Sequence, residues 1–148
     1  MAKEAPDALT LATKLLAGRD KTRAQLALAL ERKGHPPEVI AQTLTRLASL
    51  GYLDDARVAH RRALEDLRAG WAGEALQARL DAVGIDAALA SEAIDAAIAE
   101  LGWSALAMAR TLLERRKLTG AKAARFLGAR GFPEDVVERL VGSAGVER

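Results

Sequence analysis

The chain has 148 residues and a net charge of +2; half of its residues are hydrophobic, 3% are aromatic and none is cysteine. Without cysteine there is no disulfide, no thiol nucleophile and no thiolate-bound zinc or iron–sulfur cluster. No apolar run follows the charged start or approaches the length of a membrane span, so a soluble, cytoplasmic protein is expected.

Alanine and leucine carry most of the apolar surface and β-branched residues are sparse, which favours an all-α fold. So little aromatic bulk predicts thin helix–helix seams rather than one thick core. The first helix is predicted over about 6–18, where Ala8, Leu11, Ala12, Leu15 and Leu16 keep helical spacing. After it comes a pattern that recurs. "TRAQLALALERKGHPPEVIAQTL", "AGEALQARLDAVGIDAALASEAI" and "TGAKAARFLGARGFPEDVVERLV" align on Gly34, Gly84 and Gly131. Leu30, Leu80 and Leu127 stand four residues before the glycines. Ile40, Ala90 and Val137 stand six after them, and Leu44, Ile94 and Val141 ten after. Each glycine suits the left-handed residue that ends a helix, and the proline or aspartate behind it favours a new helix start. The glycines therefore read as structural punctuation, and no glycine-rich phosphate cradle occurs.

Each such pair has a helix before it: 6–18, then "DDARVAHRRALEDL", then "WSALAMARTLLERRKL". Nine helices in three three-helix repeats are predicted, over 1–53, 54–102 and 103–148. About 45 residues lies near the lower limit for an independent core, so the repeats are expected to stack into an elongated, curved rod. Charge is uneven along them. Eight Lys/Arg face five Asp/Glu in the first, five face ten in the second, and nine face five in the third. Basic ends around an acidic middle suit nucleic acid or an acidic partner, or an ordinary solvated surface.

At the first repeat boundary, Leu47, Leu50 and Leu53 close the last helix and Gly51 terminates it. Asp54 or Asp55 is then placed to accept from the free amides of the next helix. The same pair could be imagined as metal ligands or acid/base groups. Adjacent residues at a helix start diverge, however, and no third carboxylate or histidine completes a chelating pattern, so capping is expected. Beyond the cap, Arg57, Arg61 and Arg68 share a stripe with Arg62 beside it, while Ala56, Ala59, Ala63 and Leu67 make the side expected to be buried. Glu65 can pair with Arg61 four residues away. His60 and His35 are isolated and do not make a metal site. A second basic cluster, Arg115, Arg116 and Lys117, ends a helix, and Lys122 and Arg125 follow a cap expected at Thr119. Five positive charges exceed what the helix dipole needs. Trp71 and Trp103 follow Gly70 and Gly102 and read as packing wedges rather than base-stacking platforms.

Residues 50–85, "LGYLDDARVAHRRALEDLRAGWAGEALQARLDAVGI", resemble the RecX family, regulators of the bacterial RecA recombinase. That family carries a G-Y-[LI]-[DN]-D-x-x-[FY]-A core, a basic helix, a glycine, and a leucine-bearing helix ending in a K-G-[FI]-like turn. The matching positions are Gly51, Tyr52, Leu53, Asp54, Asp55, Ala59, Arg68, Gly70, Leu80, Gly84 and Ile85, while Val58 replaces the family's aromatic residue. Three thin units stacked end to end are expected to make a monomer, and no cofactor or metal is expected. The resemblance implies a regulator of RecA. It would bind along the RecA–DNA filament groove and restrain recombinase, ATPase and coprotease activities. Arg57, Arg61, Arg62, Arg68, Arg115, Arg116, Lys117, Lys122 and Arg125 are then the candidate contacts to partner or DNA. The competing expectation is an autonomous helical-repeat DNA-binding protein acting through phosphates. No helix carries the Arg/Asn/Gln cluster that reads base edges. An enzyme is not expected, because no nucleophile–base pair or metal constellation is found.

Overall fold

Helix starts and stops are written into the backbone chemistry of the computed structural model, which describes residues 7–142. Its helices are α1 (Ala8–Gly18), α2 (Arg23–Arg32), α3 (Pro37–Ser49), α4 (Asp55–Arg68), α5 (Gly73–Ala82), α6 (Ala87–Leu101), α7 (Ala105–Arg116), α8 (Gly120–Ala129) and α9 (Glu134–Val141). No strand occurs among the described residues, and the fold is all-α. No single described helix is long and apolar enough to cross a membrane.

Side-chain oxygens satisfy the first free amides of several helices, as the orphan donors of a helix start require. Asp7 accepts from Thr10 N, Asp86 from Leu89 N and Ser104 from Ala107 N. Thr22 and Gln25 form a reciprocal capping box on α2. Pro37 occupies the first turn of α3, where its missing N–H is not needed. Thr119 does stand at the N-cap of α8, but its hydroxyl makes no capping bond there. The expectation of a side-chain cap at that start is corrected.

The described residues fall into two compact units: those up to Val58 together with Ala82–Ile85, and Ala59–Asp81 together with those from Asp86 on. In the first, α1, α2 and α3 pack on one another around Ala8, Ala12, Leu26, Leu30, Leu44, Leu47 and Leu53. In the second, α7 and α8 pack on α9 around Ala109, Leu112, Leu127, Phe132 and Val136, with Ala72 in the same cluster. Leu26 and Leu30 of α2 are fully buried, as are Leu76 and Leu80 of α5. Each such side chain contributes about 2 kcal/mol of burial. In α8 the corresponding pair is Ala123 and Leu127, a smaller filling that leaves room for Phe132 and half-buried Trp103, whose rings stack at 6.1 Å. Trp103 also donates its indole N–H to Leu67 O at 2.9 Å, the wedge role expected of it.

Two turn glycines do more than end a helix. Gly84, at φ +89°, lies where a Cβ would stand 2.3 Å from the Ala24 Cβ, and the hydroxyl of buried Thr22 donates to Val83 O beside it. Gly131, also at φ +89°, lies where a Cβ would stand 2.0 Å from Ala72 O, while Ala72 N donates to Arg130 O at 2.9 Å. In both places a glycine turn seats on the start of a middle helix, and the carbonyl before the glycine takes a hydrogen bond. A side chain is excluded twice over, by conformation and by space.

Candidate interaction surface

The sequence "GYLDD" assembles a boundary in which nearly every position has a mechanical task. Gly51 N donates to Ala48 O and Tyr52 N to Leu47 O, both at 3.0 Å, closing α3 with paired reverse bonds. Leu53 is buried in the first core. Asp54 Oδ1 accepts from Arg57 N at 3.2 Å and caps α4. Asp55 Oδ1 accepts instead from Arg23 N at 2.8 Å, the first amide of α2. The paired aspartates therefore cap two helices rather than one. Tyr52 is 58% exposed. With Thr13, Leu16, Ala17, Asp20, Gly51 and Arg57 it lines an open groove of about 390 Å³.

The α4 arginines do not form one cluster. Arg57 and Arg68 are exposed, and Arg61 is held by Glu65 at 2.9 Å, the pair expected from four-residue spacing. Arg62 is half-buried, and its Nε is shielded from solvent with no hydrogen-bond acceptor among the described residues. The buried stripe of this helix is Val58, Ala59, Ala63 and Leu67. Ala56, expected in that stripe, is exposed; Val58 takes the inward position. His60 lies 3.5 Å from Glu100, and no metal-competent group of acidic or histidine side chains occurs among the described residues.

The third-repeat arginines are organised differently. Arg116, at the last turn of α7, places its guanidinium carbon 4.6 Å from the Phe126 ring centroid. Arg130 lies 5.1 Å from the same ring and 4.3 Å from that of Trp71. Arg79 lies 4.4 Å from Trp71. Arg79, Trp71, Arg130, Phe126 and Arg116 thus make one chain of alternating cation and aromatic ring. Such stacking uses the ring quadrupole and fixes a flat, forked donor that would otherwise be mobile. Among the described residues one carboxylate serves this stack: Asp66, 7% exposed, accepts from Arg79 Nε at 3.1 Å and Nη2 at 3.3 Å. Arg130 donates one bond, from Nη1 to Ala69 O at 3.0 Å. Burial, and then the guanidiniums of Arg116 and Arg79, pull its pKa below the ordinary arginine range.

Arg115, Lys117, Lys122 and Arg125, singled out by the sequence, are exposed on the same stretch of chain. From Arg115 to Pro133 there are six Lys/Arg and no Asp/Glu. Lys117 is the one non-glycine residue at positive φ (+55°) among the described residues, at the C-cap of α7. Sequence reasoning missed Arg79 and Arg130. A signal existed: Arg130 stands in the register position of Val83, one residue before the turn glycine, where the second repeat is apolar. Trp71 was read as a wedge, but its ring carries two guanidiniums.

The sequence profile described as "RecX, first three-helix domain" matches residues 8–47. "Regulatory protein RecX" of Chromohalobacter salexigens is 34% identical over 136 residues, covering 90% of each chain. That of Mycobacterium marinum is 36% identical over 155 residues, covering 95% of this chain and 87% of its own. The crystal structure of RecX from Lactobacillus salivarius superposes with a TM-score of 0.70 at 19% identity, over 89% of this chain and 90% of that one. At that identity the likeness speaks for the fold.

Proposed function

The chain belongs to the RecX family of regulatory proteins, and from that membership we propose that it binds along the groove of the RecA–DNA filament and restrains the recombinase, ATPase and coprotease activities of RecA. The observation that carries this reading beyond the family name is the acid-free basic stretch from Arg115 to Arg130, with Arg116 and Arg130 ordered on aromatic rings. A nucleoprotein filament offers a polyanion, and a surface whose cations have few internal carboxylates is suited to it. The exposed residues Arg57, Arg68, Arg115, Arg116, Lys117, Lys122 and Arg125 are assigned to partner or DNA contact, with half-buried Arg61 and Arg62 beside them. Gly51, Leu53, Asp54, Asp55 and Gly84 serve structure in this scheme, and Tyr52 fronts the groove beside Arg57.

The reading includes a division into three three-helix repeats, 1–53, 54–102 and 103–148, acting as a cytoplasmic monomer without catalysis. Titration of the purified protein into RecA, ATP and single-stranded DNA tests it. ATP hydrolysis and filament length should fall together as protein is added. DNA binding with no effect on RecA would favour an autonomous DNA-binding protein working through phosphates. No effect of either kind removes both readings.

A further inference from the structure

We propose that Thr119 is a phosphorylation site, modified by a serine/threonine kinase that reads arginine before the acceptor. Its phosphate turns the neighbouring basic surface off. The acceptor assignment stands on the geometry of this chain alone, whereas the switching effect rests on the reading of that surface given above.

Three hydroxyl residues in the sequence, Thr22, Ser49 and Thr119, have arginine three positions before them: Arg19, Arg46 and Arg116. Two of the three are already committed. Thr22 is fully buried, and its hydroxyl donates to Val83 O while accepting from Gln25 N at the start of α2. Ser49 is exposed, but it is the last residue of α3 and its hydroxyl donates to Arg46 O at 2.8 Å. Thr119 differs on each count. It is exposed and lies between α7 and α8 with extended backbone, at φ −140° and ψ 164°. Its hydroxyl makes no hydrogen bond within the described residues. Such a hydroxyl can reach the in-line geometry of phosphoryl transfer without a helix being unwound around it.

Charge supplies the recognition. Arg115, Arg116 and Lys117 stand four, three and two positions before Thr119 and all are exposed, whereas Ser49 has only Arg46 in the same span. A guanidinium fork matches carboxylates bidentately, so acidic groups of a kinase can select this run over a neutral one. No carboxylate lies from Arg115 to Pro133, so nothing in that stretch repels an incoming triphosphate. Thr119 also fronts an open hollow of about 390 Å³ that it shares with Arg110, Lys117 and Glu114. Two cations against one carboxylate leave that hollow suited to a phosphate dianion.

In the transfer, Thr119 Oγ attacks the γ-phosphorus of ATP. A bond forms between Oγ and phosphorus, the bond to the β–γ bridging oxygen breaks, and the diphosphate leaves with the electron pair. The hydroxyl proton passes to the kinase's catalytic carboxylate. The product sets about two negative charges among the cations Arg115, Arg116, Lys117, Lys122, Arg125 and Arg130. Its oxygens take up guanidinium and ammonium donors that would otherwise meet the filament. The chain stays folded, because the exposed Thr119 side chain has no place in the core of α7, α8 and α9.

The full chain is incubated with ATP and a purified serine/threonine kinase that selects arginine three residues before its acceptor. Phosphate is then located by peptide mass spectrometry. One phosphate is expected, at Thr119, and none in Thr119→Val. Arg116→Gln should lower the kinase's kcat/KM by about tenfold. Melting and helical circular dichroism of each variant separate loss of recognition from loss of fold. Phosphate on Ser49 with Thr119 untouched overturns the acceptor assignment. So does a folded chain that takes up no phosphate from a kinase active on a standard arginine-containing peptide.

The phosphorylated and unmodified chains are next compared by titration into RecA, ATP and single-stranded DNA. The concentration for half inhibition should rise about tenfold on phosphorylation, and the gap should shrink as salt is raised, since exposed charge is the cause. Thr119→Val should inhibit as the parent does, before and after kinase treatment. Equal inhibition by the two parent forms overturns the switch. Inhibition by neither form overturns the surface reading and the switch with it, while phosphate found on Thr119 still upholds the acceptor.

Discussion

The turn at Gly84 and the turn at Gly131 share a backbone and differ in purpose. Each sits at φ +89° against the start of a middle helix, and each offers the carbonyl of the preceding residue as an acceptor. At the first the preceding residue is Val83; at the second it is Arg130, which reaches Trp71, Phe126 and Ala69 O. A repeat fold thus supplies a docking frame, and one register position decides whether that frame is finished with an apolar residue or opened to charge. Gly34 shares the φ, but among the described residues nothing lies within 4 Å of where its Cβ would go.

The glycine series tests the frame most strongly. Gly131→Ala should destabilise by about 3 kcal/mol or more, combining left-handed strain with a collision against a backbone carbonyl that cannot swing aside. Gly84→Ala should lose about 2–3 kcal/mol, because the obstacle is a short side chain on a helix able to shift slightly. Gly34→Ala should lose only about 1 kcal/mol, strain without collision. Urea midpoints that place the three together would show that the turns act as punctuation and no more. Next in size is Arg130→Ala, expected to lose about 1–2 kcal/mol through one hydrogen bond and two ring contacts. Val83→Ala should lose a similar amount or less, and the sharp contrast between them should appear in DNA binding, where only the arginine variant is defective. The smallest effect is a gain. Lys117→Gly should stabilise by about 1 kcal/mol by releasing a left-handed lysine, while weakening RecA inhibition if that cation meets the filament. A variant that is more stable and fully inhibitory would show that Lys117 is a tolerated misfit.

Helices and turns were legible because their determinants are local. The glycine spacing, the Thr22–Gln25 box and the prolines of α3 and α9 all act within four residues. The same locality explains Arg61–Glu65, which spacing alone predicts. What was hidden lies across long separations. Asp55 reaches Arg23, and Arg130 reaches Trp71, through contacts that periodicity cannot register. Ala56 was misplaced because helical angle alone sets it within the Ala59–Ala63–Leu67 stripe and Val58 about 100° from Ala59, whereas the structure exposes Ala56 and buries Val58.

The seating of Gly84 has a consequence for biosynthesis. Thr22 and Ala24 are completed by Val83 and Gly84, so the first compact unit draws four of its residues, Ala82–Ile85, from more than twenty positions downstream of its main segment. A nascent chain that has emerged only to Val58 carries the helices of that unit with the Thr22 hydroxyl and the start of α2 uncovered. Chains emerge at about 5–20 residues per second, so this gap lasts a second or more, ample for helices to form and wait. Closure of the first unit is therefore timed by arrival of residue 85 at the ribosome exit, and a fragment cut at the first repeat boundary is left permanently in that waiting state.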